Sequence, residues 1–311
     1  MPRSIPRFSS LCLILACFIL CALMSSCDRN HNPSSPSRSP QSQPDAQSLR
    51  IVSLSPAISR TLLDLGLASF IVGRTPFCSS IDQSIPVVGD LNSIDYERLT
   101  KLNPTHILVQ PPSTGLDPHL QSLADEHHWI IHSWKLNTLA DINQLIHDLP
   151  EICKPADPSL QAKTVSYSAD LSQHLSRLMS TDQSAGASRQ TVLLVHQTQP
   201  VGVFGIHTYL DELLHHTSYT NVVAAPGWIE LSLEDVQKLN PAVIILVFPN
   251  QSTDVDPMSL LGPLRQTSVD AVKNHRVGII TDADSLLPST SFLEVSRELD
   301  SALSHFSEPA P

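Results

Sequence analysis

Residues 95–109 read DYERLTKLNPTHILV, and residues 232–246 read SLEDVQKLNPAVIIL. Each copy predicts a short helix that ends near Asn-Pro, because proline cannot continue a helix and disfavours helical angles in the residue before it. The apolar run that follows predicts a buried strand. We interpret the repeat as two lobes built on one plan, the alternative being a chance similarity of two helix-to-strand junctions. At an offset of 137 the identical pairs are Glu97/Glu234, Lys101/Lys238, Leu102/Leu239, Asn103/Asn240, Pro104/Pro241 and Ile107/Ile244.

Outward from the repeat, β-branched runs alternate with segments of apolar 3–4 spacing, which is typical of helices packed on a mostly parallel sheet. The first helix is predicted to be capped by Ser55, to start at Pro56 and to end at Gly66. One long helix is predicted over Asp157–Met179, and it either joins the two lobes or packs on one of them. The predicted strands are Ile51–Leu54, Phe70–Val72, His106–Gln110, Trp129–His132, Thr191–His196, Val243–Phe248 and Val277–Thr281.

The composition limits the classes of function. Of the 311 residues, 41% are hydrophobic and 16% charged, and 19 Lys and Arg against 30 Asp and Glu give a formal charge of −11. An acidic chain disfavours nucleic acid as a partner, because phosphate binding needs clustered cations. Ten glycines against 25 prolines also disfavour a nucleotide site lined by glycine. The composition therefore predicts an acidic globular protein of two lobes.

The N-terminus predicts export and anchoring. Two arginines precede the apolar run Leu11–Met24, which is typical of a signal peptide and shorter than the roughly 20 residues of a membrane-spanning helix. The run leads into Ser-Ser-Cys, which resembles a bacterial lipobox with Cys27 as the acylated residue; an ordinary cleaved signal is the alternative. We expect a leader over residues 1–26. Because the next stretch is rich in Ser, Pro and Gln, we expect a flexible tether over 27–49.

The cysteines agree with an exported protein. Four of the six lie within the first 27 residues, which leaves Cys78 and Cys153 for the folded part. In an oxidising compartment these two could form a disulfide. Two separate buried thiols are the alternative that the sequence leaves open. No CxxC is present, so neither a redox motif nor a zinc site is indicated.

Five stretches of the folded part resemble one family in their order and spacing. They are RIVSLSPAISRTLLDLGLASFIVG (50–73), VVGDLNSIDYERLTKLNPTHILV (87–109), GIHTYLDELLHHTSYTNVVA (205–224), GWIELSLEDVQKLNPAVIILV (227–247) and AVKNHRVGIITDADSLLPS (271–289). The family is that of the substrate-binding proteins of ABC importers for cobalamin and iron complexes.

The resemblance implies an α/β fold of two Rossmann-like lobes bridged by a single long α-helix, the class III periplasmic-binding-protein type. The implied segments are an N-terminal lobe over 50–156, the bridging helix over 157–182 and a C-terminal lobe over 189–306. A metal complex would bind in the cleft between the lobes, and the partners would be an ABC permease and its ATPase. We expect a monomer held by its lipid anchor on the periplasmic side of the cell envelope.

The resemblance also gives the repeated acids a role. In the family, one Glu on each lobe docks onto arginines of the membrane permease, and the matching positions are Glu97 and Glu234. An acid at the same place on each of two lobes suits a partner with two-fold symmetry. The alternative is two solvated helix glutamates.

Aromatic residues are the ligand-binding candidates that the resemblance implies. Phe77 follows the second strand, Trp134 follows another strand, and Trp228 lies six residues before Glu234. Their planes suit a flat macrocycle, and core packing is the alternative for each. Leu91 stands six residues before Glu97, where family members that bind vitamin B12 have a Trp, and this departure weakens the case for cobalamin.

Two histidines are candidates for contact with a cobalt or iron centre of the ligand. His196 ends the first strand of the second lobe and His207 begins its first helix, and imidazole is a common metal ligand. With 14 histidines spread along the chain, a surface position is the alternative for both. Pairs of adjacent histidines point about 100° apart on a helix, so a directly bound zinc or manganese ion is disfavoured.

An enzyme is the main competing class, since an α/β body permits one. The sequence has no G-x-S-x-G elbow, P-loop, HExxH or GxGxxG, and these absences disfavour an α/β hydrolase and a nucleotide-dependent enzyme. A ligand-binding or sensor lipoprotein that takes no part in transport is a further alternative. We predict a binding protein that performs no chemistry and has no resident cofactor.

Overall fold

The computed structural model describes residues 48–90, 92–180, 189–252 and 254–306. The predicted leader, residues 27–47 of the predicted tether (among them Cys27), Leu91 and residues 181–182 of the predicted bridging helix lie outside the described residues. The elements of the first part of the chain are β1 (Ile51–Ser53), α1 (Pro56–Asp64), β2 (Ile71–Arg74), β3 (Gly89–Asp90), β4 (Ser93–Ile94), α2 (Tyr96–Leu102), β5 (His106–Val109), α3 (Pro118–His127), β6 (Ile130–Ser133), α4 (Leu139–Cys153) and the long helix α5 (Pro158–Ser180).

The remaining part of the chain forms a second set of strands and helices. They are β7 (Gln190–Thr198), β8 (Val201–Phe204), α6 (Tyr209–Leu214), β9 (Tyr219–Asn221), β10 (Trp228–Leu231), α7 (Leu233–Leu239), β11 (Val243–Val247), α8 (Asp270–Lys273), β12 (Val277–Ile280) and α9 (Phe292–Ser304). Each predicted strand corresponds to an observed one.

The strands form one main sheet in each lobe. The first lobe has four parallel strands in the order β2-β1-β5-β6. The second has the order β10-β8-β7-β11-β12, with β9 paired to β7; β7, β9, β11 and β12 run parallel, and β8 is antiparallel to both of its neighbours. The predicted α/β class with mostly parallel sheets is confirmed. The antiparallel part, β8 and β10, was not predicted, nor was the small β3-β4 pair.

The sequence repeat corresponds to a structural repeat. In both copies a seven-residue helix, α2 or α7, ends at an asparagine with left-handed backbone angles, Asn103 at φ 43° and Asn240 at φ 44°. A proline follows, and the chain then enters an inner strand of its sheet, β5 or β11. Asparagine tolerates the left-handed region better than most residues, which is why it suits the end of a helix. The two lobes share this unit.

The first helix starts at Pro56 as predicted, but its predicted cap is wrong in detail. Ser55 has extended backbone angles and makes no side-chain cap. Its hydroxyl donates instead to Oε1 of Gln110 at 3.2 Å, which ties the helix start to the loop after β5. Gly66, at φ 76°, takes the left-handed position just after the helix.

Cys78 and Cys153 are free, buried thiols. Of the two alternatives that the sequence left open, the structure therefore shows the separate thiols and not the disulfide. The Cys78 Sγ contacts Oγ of Ser59 at 3.1 Å and Oγ1 of Thr75 at 3.2 Å. Burial raises the pKa of the Cys153 thiol to about 12. Because both thiols are buried, neither is positioned to react with molecules in solution.

Helix α5 connects the two lobes and packs closely on the first. Thr164 Oγ1 donates to the carbonyl of Leu65 at 3.0 Å, and Ser168 Oγ donates to the carbonyl of Ile146 at 2.8 Å. These buried hydroxyls fix the helix on the first lobe, while Leu171 and Leu175 enter a core shared by both lobes.

The lobes meet in one compact unit. Their common hydrophobic core joins side chains of α1 and α4 to those of α6 and α9. Arg60 on α1 forms ion pairs with Asp64, at 2.8 Å between Nε and Oδ2, and with Asp284 of the second lobe. Thr290 of the second lobe donates to Asp64. Because the Asp284 side chain is only 3% exposed, the Arg60 guanidinium is the charge that allows its burial.

Two hydrogen bonds donated by backbone amides join the lobes at a second place. The Tyr209 amide, at the start of α6, donates to the Asn137 carbonyl at 2.7 Å, and the Leu139 amide, at the start of α4, donates to Oε2 of Glu212 at 2.7 Å. Burial raises the pKa of Glu212, and the bond from Leu139 opposes that rise. The starts of α4 and α6 are therefore fixed to each other.

We expect Arg60→Met to lower the free energy of unfolding by about 3 kcal/mol, because it leaves the buried Asp284 carboxylate without its cation. Arg297→Met is the matched control: it also removes an arginine from an ion pair, but the Arg297–Glu294 pair is exposed and contributes under about 1 kcal/mol. Urea unfolding measures both. Equal losses in the two variants would contradict the role of Arg60.

Candidate ligand-binding cleft and docking surface

The repeated acids occupy equivalent places. Glu97 lies in the first turn of α2 and Glu234 in the first turn of α7, and both side chains are exposed. They differ in their neighbours: Glu97 pairs with Lys101, whereas Lys238 pairs with Asp235 at 3.6 Å. Within the described residues Glu234 makes no ion pair. Both carboxylates are therefore exposed to solvent. The Glu234 carboxylate is the less constrained of the two, because no ion pair holds it among the described residues.

A shallow cavity of about 480 Å³ lies beside Glu234. It is lined by Leu233, Glu234, Gln237, Lys238, Gln266 and Thr267. Such a surface can receive a side chain from a partner, and the glutamate places a negative charge at its wall.

Trp228 is the most strongly supported of the aromatic candidates. It is 49% exposed on β10, while the rest of the indole packs on Phe204 of β8 at 4.4 Å and on His196 of β7 at 4.9 Å between ring centroids. Phe204 is fully buried beneath it. Three adjacent strands therefore support one indole with a face left open, and Phe204 was not among the predicted residues.

His196 is half-buried, and its ring packs against Gly202. A Cβ at Gly202 on β8 would lie 2.5 Å from Cε1 and 2.6 Å from Nε2 of His196, so the nitrogen-bearing edge of the ring packs on the glycine backbone. Burial lowers the pKa of His196, and the charge of Glu230 opposes this shift. The imidazole contributes to the support of Trp228, and its contact with the metal centre of a ligand stays a prediction.

The other candidates fall into two groups by exposure. Phe77 is 63% exposed after β2, with its amide donating to Oγ1 of Thr75 at 3.2 Å. His207 is also exposed and stands at φ 62° just before α6. Trp134 is only 8% exposed, and its indole N–H donates to Oδ2 of Asp148 at 2.9 Å. Phe77 and His207 are thus open to a ligand, whereas Trp134 matches the core-packing alternative.

A pair of imidazoles in the first lobe was not predicted. The rings of His106 on β5 and His132 on β6 stack at 5.5 Å, because the two strands are neighbours in the sheet. Burial lowers the pKa of both groups, although Asp148 opposes the shift at His132. Among the described residues, no three His, Cys, Asp or Glu side chains are arranged to hold a metal ion.

A larger cavity of about 530 Å³ lies at the outer edge of the second lobe, along β12 and α9. None of the predicted ligand residues lines it. Its walls include Ile279, Thr281, Glu298 and His305.

In the described part of the chain, every helix is either too short or too polar to cross a bilayer.

Comparisons with known proteins agree with this architecture. The sequence profile described as periplasmic binding protein matches residues 51–283. A relative in Bacillus subtilis, named as the uncharacterized ABC transporter substrate-binding lipoprotein YvrC, is 23% identical over 234 residues, which cover 73% of this chain and 71% of the relative.

Solved structures show the same fold at low identity. The vitamin B12 binding protein BtuF of Vibrio cholerae matches with a TM-score of 0.64 at 17% identity, over 84% of this chain and 98% of that one. The heme binding protein HutB of Vibrio cholerae matches with a TM-score of 0.61 at 19% identity, over 80% and 97%. These matches confirm the predicted fold, and the profile confirms a binding protein in place of an enzyme.

The lowered pKa values of His106, His132 and His196 predict a stability that depends on pH. The unfolded chain takes up protons near pH 6.5, whereas the folded chain resists them. The three neutral imidazoles therefore make their full contribution to the free energy of unfolding above pH 6.5, and this contribution is lost as the pH falls below that value. We expect His132→Gln to reduce the loss of unfolding free energy between pH 7.5 and 5.5, measured by urea unfolding.

His174→Gln is the control, because His174 is an exposed histidine on α5. The carboxyls with raised pKa, such as Glu212 and Asp282, titrate in all the variants and cancel from the comparison. If the unfolding free energy depends on pH equally in His132→Gln and in the unmodified protein, the half-buried imidazole of His132 is excluded as a cause of that dependence.

Proposed function

The chain belongs to the periplasmic binding protein family, and from this membership we propose that it is the lipid-anchored substrate-binding component of an ABC importer. It captures a metal complex, either a corrinoid such as vitamin B12 or a ferric siderophore or haem, in the cleft between its lobes. It then delivers the complex to the permease, which its ATPase drives.

The observation that carries the ligand class is the open indole of Trp228 on its base of Phe204 and His196. A flat macrocycle gains apolar burial and stacking on such a surface, and Phe77 offers a second exposed ring on the other lobe. Solved proteins of the same fold are named for vitamin B12 and heme. His207 is proposed as a further cleft residue, and Trp134 supports the wall from within.

The proposed anchor and boundaries follow from the sequence. Cys27 is the proposed lipid site, the tether spans 27–49, and the mature protein is a monomer on the periplasmic side of the envelope. The lobes are proposed over 50–156 and 189–306, on either side of the bridging helix. The relative in Bacillus subtilis is itself named a lipoprotein, which supports the anchor.

Calorimetric titration with cyanocobalamin, haemin and a ferric hydroxamate siderophore tests the ligand class. We expect one of the three to bind with micromolar affinity or better. Trp228→Leu should weaken that binding by about tenfold or more, since an exposed aromatic anchor contributes at least 1–2 kcal/mol. Tyr167→Leu, at an exposed tyrosine on α5, is the control and should bind unchanged. Failure of all three compounds to bind would remove the proposal.

The docking role is tested by uptake. We expect the double variant Glu97→Gln and Glu234→Gln to abolish uptake of the bound compound in cells while its affinity in solution stays unchanged, because rim charges set the encounter and register of the partner. Glu151→Gln with Glu294→Gln removes two other exposed helix acids and is the matched control. Normal uptake by the first double variant would contradict docking through these residues.

A further inference from the structure

A single carboxylate stands beside the open indole. Glu230 follows Trp228 by two positions on β10, and both side chains are exposed. Alternate residues of a strand point to the same face, and the register places Trp228 opposite Phe204 and Glu230 opposite Gly202 of β8. The carboxylate and the indole therefore lie on one face of the same three strands.

The position of the His196 ring also indicates that Glu230 lies on this face. The imidazole packs on Gly202, directly across from Glu230, and the charge of Glu230 acts on the pKa of His196. Because burial lowers that pKa, the imidazole is neutral near pH 7 and does not compensate the carboxylate. Within the described residues Glu230 forms no ion pair and no side-chain hydrogen bond. Its negative charge is therefore open to whatever occupies the indole face.

We propose that Glu230 is a specificity-determining residue that selects ligands by the chemistry of their edge. This inference rests on the proposed function, since it concerns the same site. A carboxylate accepts hydrogen bonds and attracts positive charge, so it favours a macrocycle edged with N–H donors, such as carboxamides. It repels an edge that carries carboxylates of its own.

The fold makes no evident use of this carboxylate. Strand β10 is held through its ladder to β8, and the indole is held by the rings of Phe204 and His196. Glu230→Gln keeps the size of the side chain and removes only its charge, so the variant should fold and should keep the Trp228 platform. This makes the charge separable from the platform in an experiment.

The test uses matched ligands that differ only at the edge. Dicyanocobinamide carries carboxamides around the corrin ring, and dicyanocobyrinic acid carries carboxylates on the same ring; haemin and its diamide form the corresponding porphyrin pair. Affinities are measured at pH 7.5 for the pair whose ring binds. We expect the unmodified protein to prefer the amide form by about tenfold or more, the effect of one hydrogen bond to a charged group. Glu230→Gln should remove most of that preference.

Glu126→Gln, at an exposed acid on α3 of the first lobe, changes the net charge equally and should leave the preference intact. Raising the salt concentration should reduce the preference of the unmodified protein for the amide form, because exposed charges are screened. The small preference that remains in Glu230→Gln should not change.

Several outcomes would overturn the inference. An unchanged ratio in Glu230→Gln, or tighter binding of the carboxylate form by the unmodified protein, would refute it while the proposed function stands on the binding itself. Binding of neither ring would also refute it, and the siderophore titration would then decide the proposed function separately.

Discussion

The burial of Asp284 against Arg60 is the constraint on which the arrangement of the lobes depends. The carboxylate belongs to the second lobe and is 3% exposed, while the guanidinium comes from α1 of the first lobe. Separating the lobes at this place would leave a buried charge unpaired, which proteins tolerate poorly. The shared core beneath the pair adds an apolar cost to the same movement. The ion pair and the shared core thus hold the lobes together at this place.

Much of the fold could be predicted because its information is local. The two copies of the helix-Asn-Pro-strand unit are legible in the sequence, since Asn103 and Asn240 each end a helix and an apolar strand follows. The inner strands are continuous apolar runs, as expected of strands covered on both faces. The antiparallel strands β8 and β10 carry weaker patterns, because their place is set by pairing with distant residues. Ser55 shows the same limit, since its partner Gln110 lies 55 residues away.

The sequence named candidate residues for a site, and the structure shows how exposed each one is and what it contacts. The resemblance pointed to Trp228 and Phe77, and both are exposed. It also pointed to Trp134, whose burial and bond to Asp148 only the structure could show. The register of β7, β8 and β10 decides the rest: it sets Phe204 under the indole, turns His196 onto Gly202 and aligns Glu230 with Trp228. A sequence read along the chain does not contain that register.

The stiffness of the scaffold bears on how such a protein can distinguish ligands. An indole already fixed by Phe204 and His196 loses little conformational freedom on binding, so the free energy of stacking is largely retained as affinity. Stacking alone, however, accepts any flat ring of suitable size. In the proposed site, discrimination would therefore come from the side chains beside the indole. Glu230 is the charged group that β10 places beside the indole, and in the proposed site its carboxylate would distinguish rings of similar shape by the charge at their edge.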